Sequence, residues 1–147
     1  DDNHYKLVAK ESFDFLISKI FVNGHLKVIS NNGWHYRHDV SLDSIGGEQP
    51  IDIGYTIIAL EKFYRLFGKE DYAKKADIAF SWFLGDNHLQ QNIYNHCTAG
   101  CYDGIEEFNV NINQGAESTL SYLLSRLTME KFKSKKVNVK QKMVLQS

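Results

Sequence analysis

The chain has 147 residues, 43% of them apolar and 13% aromatic, with a formal net charge of −1. That is one domain, or a piece of one, with enough apolar mass for a core. The near-zero charge gives no argument for nucleic acid as a partner, and no apolar run approaches the roughly 20 residues of a membrane span. The acidic start shows no signal-peptide pattern, so the expected location is the cytoplasm.

The spacing of apolar residues predicts four helices. The first runs from about Tyr5 to Phe21, with Leu7, Val8, Phe13, Phe15, Leu16 and Ile20 on a broad apolar face and Asn23-Gly24 as its stop. The second starts at Pro50, a residue suited to a first turn, carries Ile53, Ile57, Leu60, Tyr64 and Phe67, and closes at Gly68. The third follows from about Glu70 to Leu84. So short a connection makes the second and third helices an antiparallel hairpin, and Ala73, Ala76 and Ala79 allow a close approach. The fourth spans about Gln114 to Thr128, and residues 130–147 read as a basic, flexible tail beyond a domain of residues 1–129. Ala9, Phe13 and Leu16 match Ala76, Phe80 and Phe83, and also Ala116, Leu120 and Leu123, a faint helical-hairpin repeat.

Two long polar loops, about 25–49 and 85–113, separate the helices, and loops of that size are usually functional. His25 to Ile29 alternates and reads as a small strand or hairpin. Cys97 and Cys101 lie four apart beside His96; a disulfide, free thiols and a metal half-site all fit that spacing, with free thiols the expected state. No phosphate loop, dinucleotide fingerprint, Gly-x-Ser-x-Gly or H-E-x-x-H motif is present, so neither a cofactor nor a metal is expected.

Residues Asn109 to Thr119 hold three Asn, one Gln, one Glu and two hydroxyls, and they open the fourth helix. A helix cap needs only one such side chain, so the surplus points to a ligand rich in hydroxyls, a sugar. Asn111, Asn113 and Gln114 are the amides expected to contact it. In the first loop Trp34 and Tyr36 offer flat faces for a sugar ring, while His35, Arg37, His38 and Gln49 supply hydrogen-bonding groups. The candidate acids and bases are Glu48, Asp52, Asp103 and Glu117. Cleavage of a glycosidic bond commonly uses two carboxyl groups at a controlled separation. The plain alternative for each is a helix cap or an ion pair. Asp52 near a helix start is expected to be ionised, and Glu117, a turn before Leu120 and two before Leu124, to lie on or beside a buried face.

Five motifs in this order resemble one family: Gly33-Trp34-His35-Tyr36-Arg37, Glu48-Gln49-Pro50-Ile51-Asp52, Trp82 to Asn87, Gly100-Cys101-Tyr102-Asp103-Gly104 and Asn111 to Thr119. Together they resemble the C-terminal part of a bacterial six-hairpin (α/α)6 glycosidase-like family, associated with glycosyltransferases and sugar metabolism. The resemblance implies an all-α fold, a partial (α/α)6 toroid of antiparallel helical hairpins, and a carbohydrate ligand. It also implies a partner to complete the ring, either the N-terminal part of the same protein or another copy. The alternative from a different class is a non-catalytic helical interaction module, tetratricopeptide-like or serving to position a neighbouring domain.

Overall fold

The computed structural model describes residues 2–31 and 45–144, with side chains described through residue 132. Trp34, His35, Tyr36, Arg37 and His38 lie outside the described residues. The chain is mostly helical: α1 (Asp2–Ile20), α2 (Pro50–Phe67), α3 (Glu70–Ser81) and α4 (Ala116–Val144). Six two-residue strands accompany them: β1 (Phe21–Val22), β2 (His25–Leu26), β3 (Tyr94–Asn95), β4 (Gly100–Cys101), β5 (Gly104–Ile105) and β6 (Val110–Asn111). They pair as three antiparallel ribbons, β1–β2, β3–β4 and β5–β6.

Asn23-Gly24 does not stop α1 directly. Both residues have positive φ, 52° and 84°, and they turn the β1–β2 ribbon instead, the conformation a two-residue hairpin of matching twist requires. The hairpin of α2 and α3 forms as the short connection demands. Gly68 adopts φ 67° and its N–H donates to the Tyr64 carbonyl, the left-handed stop for which glycine is best suited. Ala73, Ala76 and Ala79 are all buried against the neighbouring helices. α3 stops at Ser81, short of Leu84, because Asn87 Nδ2 donates to the Trp82 carbonyl at 2.9 Å and the Asp86 N–H to the Ser81 carbonyl at 3.0 Å.

The helices form two layers. Lys10 sits over Phe67, Phe13 packs on Phe63 at 4.2 Å, and Ile20 shares a hollow with Asp52, so α1 runs antiparallel to α2. α4 instead runs parallel to α2. A Cβ added to Gly54 would lie 3.3 Å from the Ser121 carbonyl and 3.4 Å from Ser125 Oγ, and further along Tyr64 meets Phe132 at 5.1 Å. The side of α4 against the core is thus built from Ser118, Ser121, Tyr122, Ser125, Met129 and Phe132. Its leucines point away: Leu120, Leu123, Leu124 and Leu127 are all exposed. Glu117 is exposed at the edge of the inward side, beside the buried face; serines stand where α2 comes closest, at Gly54, and Tyr122, Met129 and Phe132 fill the rest of that side. The faint repeat is likewise not equivalent in space, since Ala76 is fully buried while Ala9 and Ala116 are exposed.

α4 continues past Thr128 to Val144, and Met129 and Phe132 beyond the expected boundary are buried. The lysines there suit a helix as well as a coil. Among the described residues no helix is long and apolar enough to cross a membrane. Replacing Gly54 with Leu is expected to force α2 and α4 apart and cost about 1–3 kcal/mol in urea unfolding. Leu124→Gln, on the outer side, is expected to change the same measurement by no more than about 0.5 kcal/mol.

Candidate functional site

The N-terminal ends of α2 and α4 lie side by side, and the ribbons gather around them. The strap 46–49 enters α2 through Gly46 and Gly47, at φ 85° and 65°. No other residue fits at Gly46, where an added Cβ would stand 2.2 Å from the Glu107 nitrogen. The strap is then pinned to β5 by reciprocal backbone bonds between Glu48 and Ile105, both 3.0 Å. This places the Glu48 side chain inside, only 7% exposed at the residue level. Trp82 Nε1 donates to its Oε2 at 2.7 Å, and His88 Nδ1 stands 3.3 Å from Oε1. Burial raises the Glu48 pKa above the usual carboxylate range; the Trp82 N–H, His88 and Lys27 oppose that rise without cancelling it.

Glu48 borders a hollow of about 480 Å³ that His25, Lys27, Asp86, Asn87 and His88 also line, a size in the range of about 300–1,000 Å³ common for small-molecule sites. His25 Nδ1 is 3.0 Å from Asp86 Oδ1, and Ser81 Oγ donates to Asp86 Oδ2 at 2.9 Å. Leu26 is a wall shared with a second hollow of about 370 Å³, mostly apolar, on whose edge Asp52, Tyr55 and Thr56 stand. Tyr55 is 68% exposed there. Asp52 has a raised pKa, first because burial penalises its charge and second because the Glu117 carboxylate is close. Both effects oppose the pull of the helix dipole on Asp52, and the second sets Asp52 and Glu117 within electrostatic reach across the two helix starts.

The amide-rich stretch bonds within its own loops and helix start. Asp103 Oδ1 accepts from the Gly115 N–H at 2.7 Å and from Ser118 Oγ at 2.6 Å, capping α4. The Asp103 N–H donates to the carbonyls of both Asn111 and Asn113. Asn111 Oδ1 accepts from the Asn113 N–H, Gln114 Oε1 accepts from Thr98 Oγ1 at 2.7 Å, and Thr119 Oγ1 accepts from the Cys101 N–H. Gln49 is exposed and precedes α2 without a side-chain cap. Asp103 and the amides thus meet one another around the start of α4, apart from the hollow beside Glu48.

Sequence reasoning missed His25, Tyr55, Asp86 and His88. Tyr55 alone carried a local signal, an aromatic ring one helical turn from Asp52. Neither cysteine is in a disulfide, and Cys101 is buried while Cys97 is exposed. Burial and the nearby Asp103 push the Cys101 thiol up to about 12. Among the described residues no three His, Cys, Asp or Glu side chains are grouped to hold a metal ion. No protein-family model and no curated protein matches the chain.

Asp103→Ala removes both capping bonds and is expected to cost about 1–2 kcal/mol in urea unfolding. The raised Glu48 pKa means that the fold favours its neutral form. That contribution is fully present below the ordinary glutamate value and is lost as pH rises through the raised one. Carbon-13 NMR of the Glu48 carboxyl is expected to give a midpoint above that of an exposed glutamate. Trp82→Phe, which deletes a donor to the charged form, is expected to move the midpoint higher still.

Proposed function

We propose that the chain is a carbohydrate-binding or carbohydrate-processing domain of the partial αα-toroid type, belonging to a larger glycosidase- or glycosyltransferase-related protein. The observation that carries this reading is that Asp52, its pKa raised by burial and then by the Glu117 charge, lines a hollow together with the exposed ring of Tyr55. A partly buried carboxyl group with a second carboxylate in electrostatic reach is a common basis of sugar chemistry, and an aromatic face with polar neighbours suits a pyranose ring. The layer order supports the toroid: α2 and α4 run parallel in one layer, with α1 and α3 returning outside them. Such a ring keeps its loops at one rim, where Glu48, Gln49, Asp52 and Glu117 all stand. The free thiols of Cys97 and Cys101 favour a reducing compartment, the cytoplasm.

A second reading is favoured by a different feature. Leu120, Leu123, Leu124 and Leu127 form an exposed apolar stripe on α4, of the kind that marks a surface for other protein. It suits the remainder of a longer chain or another copy, and a non-catalytic helical module presents the same face. Asp103 and Asn113, occupied in capping and turns, fit that module as well.

Isothermal titration with a panel of neutral and acidic oligosaccharides separates the two. The carbohydrate reading expects at least one ligand whose affinity falls about tenfold or more in both Tyr55→Ala and Glu117→Gln, the loss of one good contact of about 1.4 kcal/mol. Binding unchanged in both variants, or no binding across the panel, would leave the module.

A further inference from the structure

We propose that the outer stripe of α4 docks against the same stripe of a second copy of the chain. The two helices run antiparallel about a two-fold axis that passes between Leu123 and Leu124. Such a contact needs no carbohydrate and differs from the head-to-tail contacts that would close a ring of hairpins.

Leu120, Leu123, Leu124 and Leu127 are all exposed, at the spacing of one helix face. That face lies opposite Ser118, Ser121, Tyr122, Ser125 and Met129, which are buried on the inward side. Packing α4 onto its own core therefore turns the leucines outward. Apolar area held in water gains by being covered, and leucine interdigitates readily between two facing helices.

The charges beside the stripe select its occupant. Glu117 stands one turn before Leu120, and Lys131 one turn after Leu127; both are exposed and lean to the same flank of the stripe. Leu120 and Leu127 are equally far from the midpoint of Leu123 and Leu124, and Glu117 and Lys131 are equally far from Leu124. The pattern is therefore self-complementary when turned end for end. An antiparallel copy sets Leu120 against Leu127 and Leu123 against Leu124, and it brings Glu117 of each copy beside Lys131 of the other. Every contact is then made twice, as a two-fold interface requires. A parallel copy would instead set Glu117 against Glu117 and Lys131 against Lys131. On the opposite flank Arg126 Nε stands 3.2 Å from Glu130 Oε1 within one copy, so that side carries little net charge.

From Glu117 to Lys131 the helix is about 21 Å long and about 10 Å wide. A contact of that footprint belongs with small, reversible interfaces and not with permanent ones.

The test is sedimentation equilibrium of the full chain from about 10 μM to 1 mM, a range that spans weak association. A reversible dimer is expected, loosened by added salt. Leu124→Gln, which leaves the core intact, is expected to raise the dissociation constant at least tenfold with urea unfolding nearly unchanged. Glu117→Lys and Lys131→Glu each turn both ion pairs into repulsions, and each is expected to raise it about tenfold. Mixed in equal amounts, these two charge variants are expected to regain the original affinity, because every pair between them is again opposite in sign. Damage to the fold of either variant would not be repaired by mixing. A chain that stays monomeric throughout, or an open series of larger assemblies, overturns the two-fold pairing. So does a dimer indifferent to Leu124→Gln, or a mixture that associates no better than its members alone.

Discussion

Glu48 is fastened twice, through its backbone to Ile105 and through its carboxyl group to Trp82 and His88, and much of the rim follows from that double attachment. A carboxylate taken from water into an apolar setting is costly unless donors replace the lost solvent. Here an indole N–H at the end of α3 supplies one. The backbone pairing carries the constraint onward: Ile105 belongs to β5, β5 follows Asp103, and Asp103 caps α4. The start of α2, the end of α3 and the start of α4 are thereby held in one frame by contacts between residues far apart in sequence. Glycine is required where these segments cross. At Gly104 an added Cβ would meet the Glu48 carbonyl at 2.6 Å.

Below that frame the helices pack by size. Gly54 and the serines of α4 let two parallel helices approach closely, while Tyr122, Met129 and Phe132 fill the core on either side of that contact and the leucines of α4 stay outside. Ser125, fully buried, turns its hydroxyl back to the Ser121 carbonyl at 2.6 Å, so the contact carries no orphaned polar group. The same close packing brings Asp52 and Glu117 within electrostatic reach, because both stand in the first turns of neighbouring helices. The electrostatics of the rim is in this sense a by-product of how tightly α2 and α4 fit.

The hairpin of α2 and α3 was legible because its signals are local: Pro50 at the start, Gly68 at the stop, alanines between. The inward side of α4 was not, since leucine is ordinarily the buried residue and here serines at the Gly54 contact, with Tyr122, Met129 and Phe132, take its place. Two-residue strands are too short to leave a periodic trace, so β3 to β6 looked like one long loop. The richness of Asn109 to Thr119 in polar groups was real, but Asn111 and Thr119 accept from backbone N–H groups, Gln114 from Thr98, and Ser118 donates to Asp103. Glu48 was legible as a carboxylate near a helix start. Its partner His88 was not, because nothing near His88 in sequence announces a neighbour forty positions away.

The two thiols differ enough to be used separately. Cys101 is enclosed and holds its hydrogen, whereas Cys97 lies in the open turn between β3 and β4, next to Thr98, whose hydroxyl donates to Gln114. An alkylating dye at neutral pH therefore attaches at one place only, and without any mutation it becomes a reporter of local motion at the foot of α4.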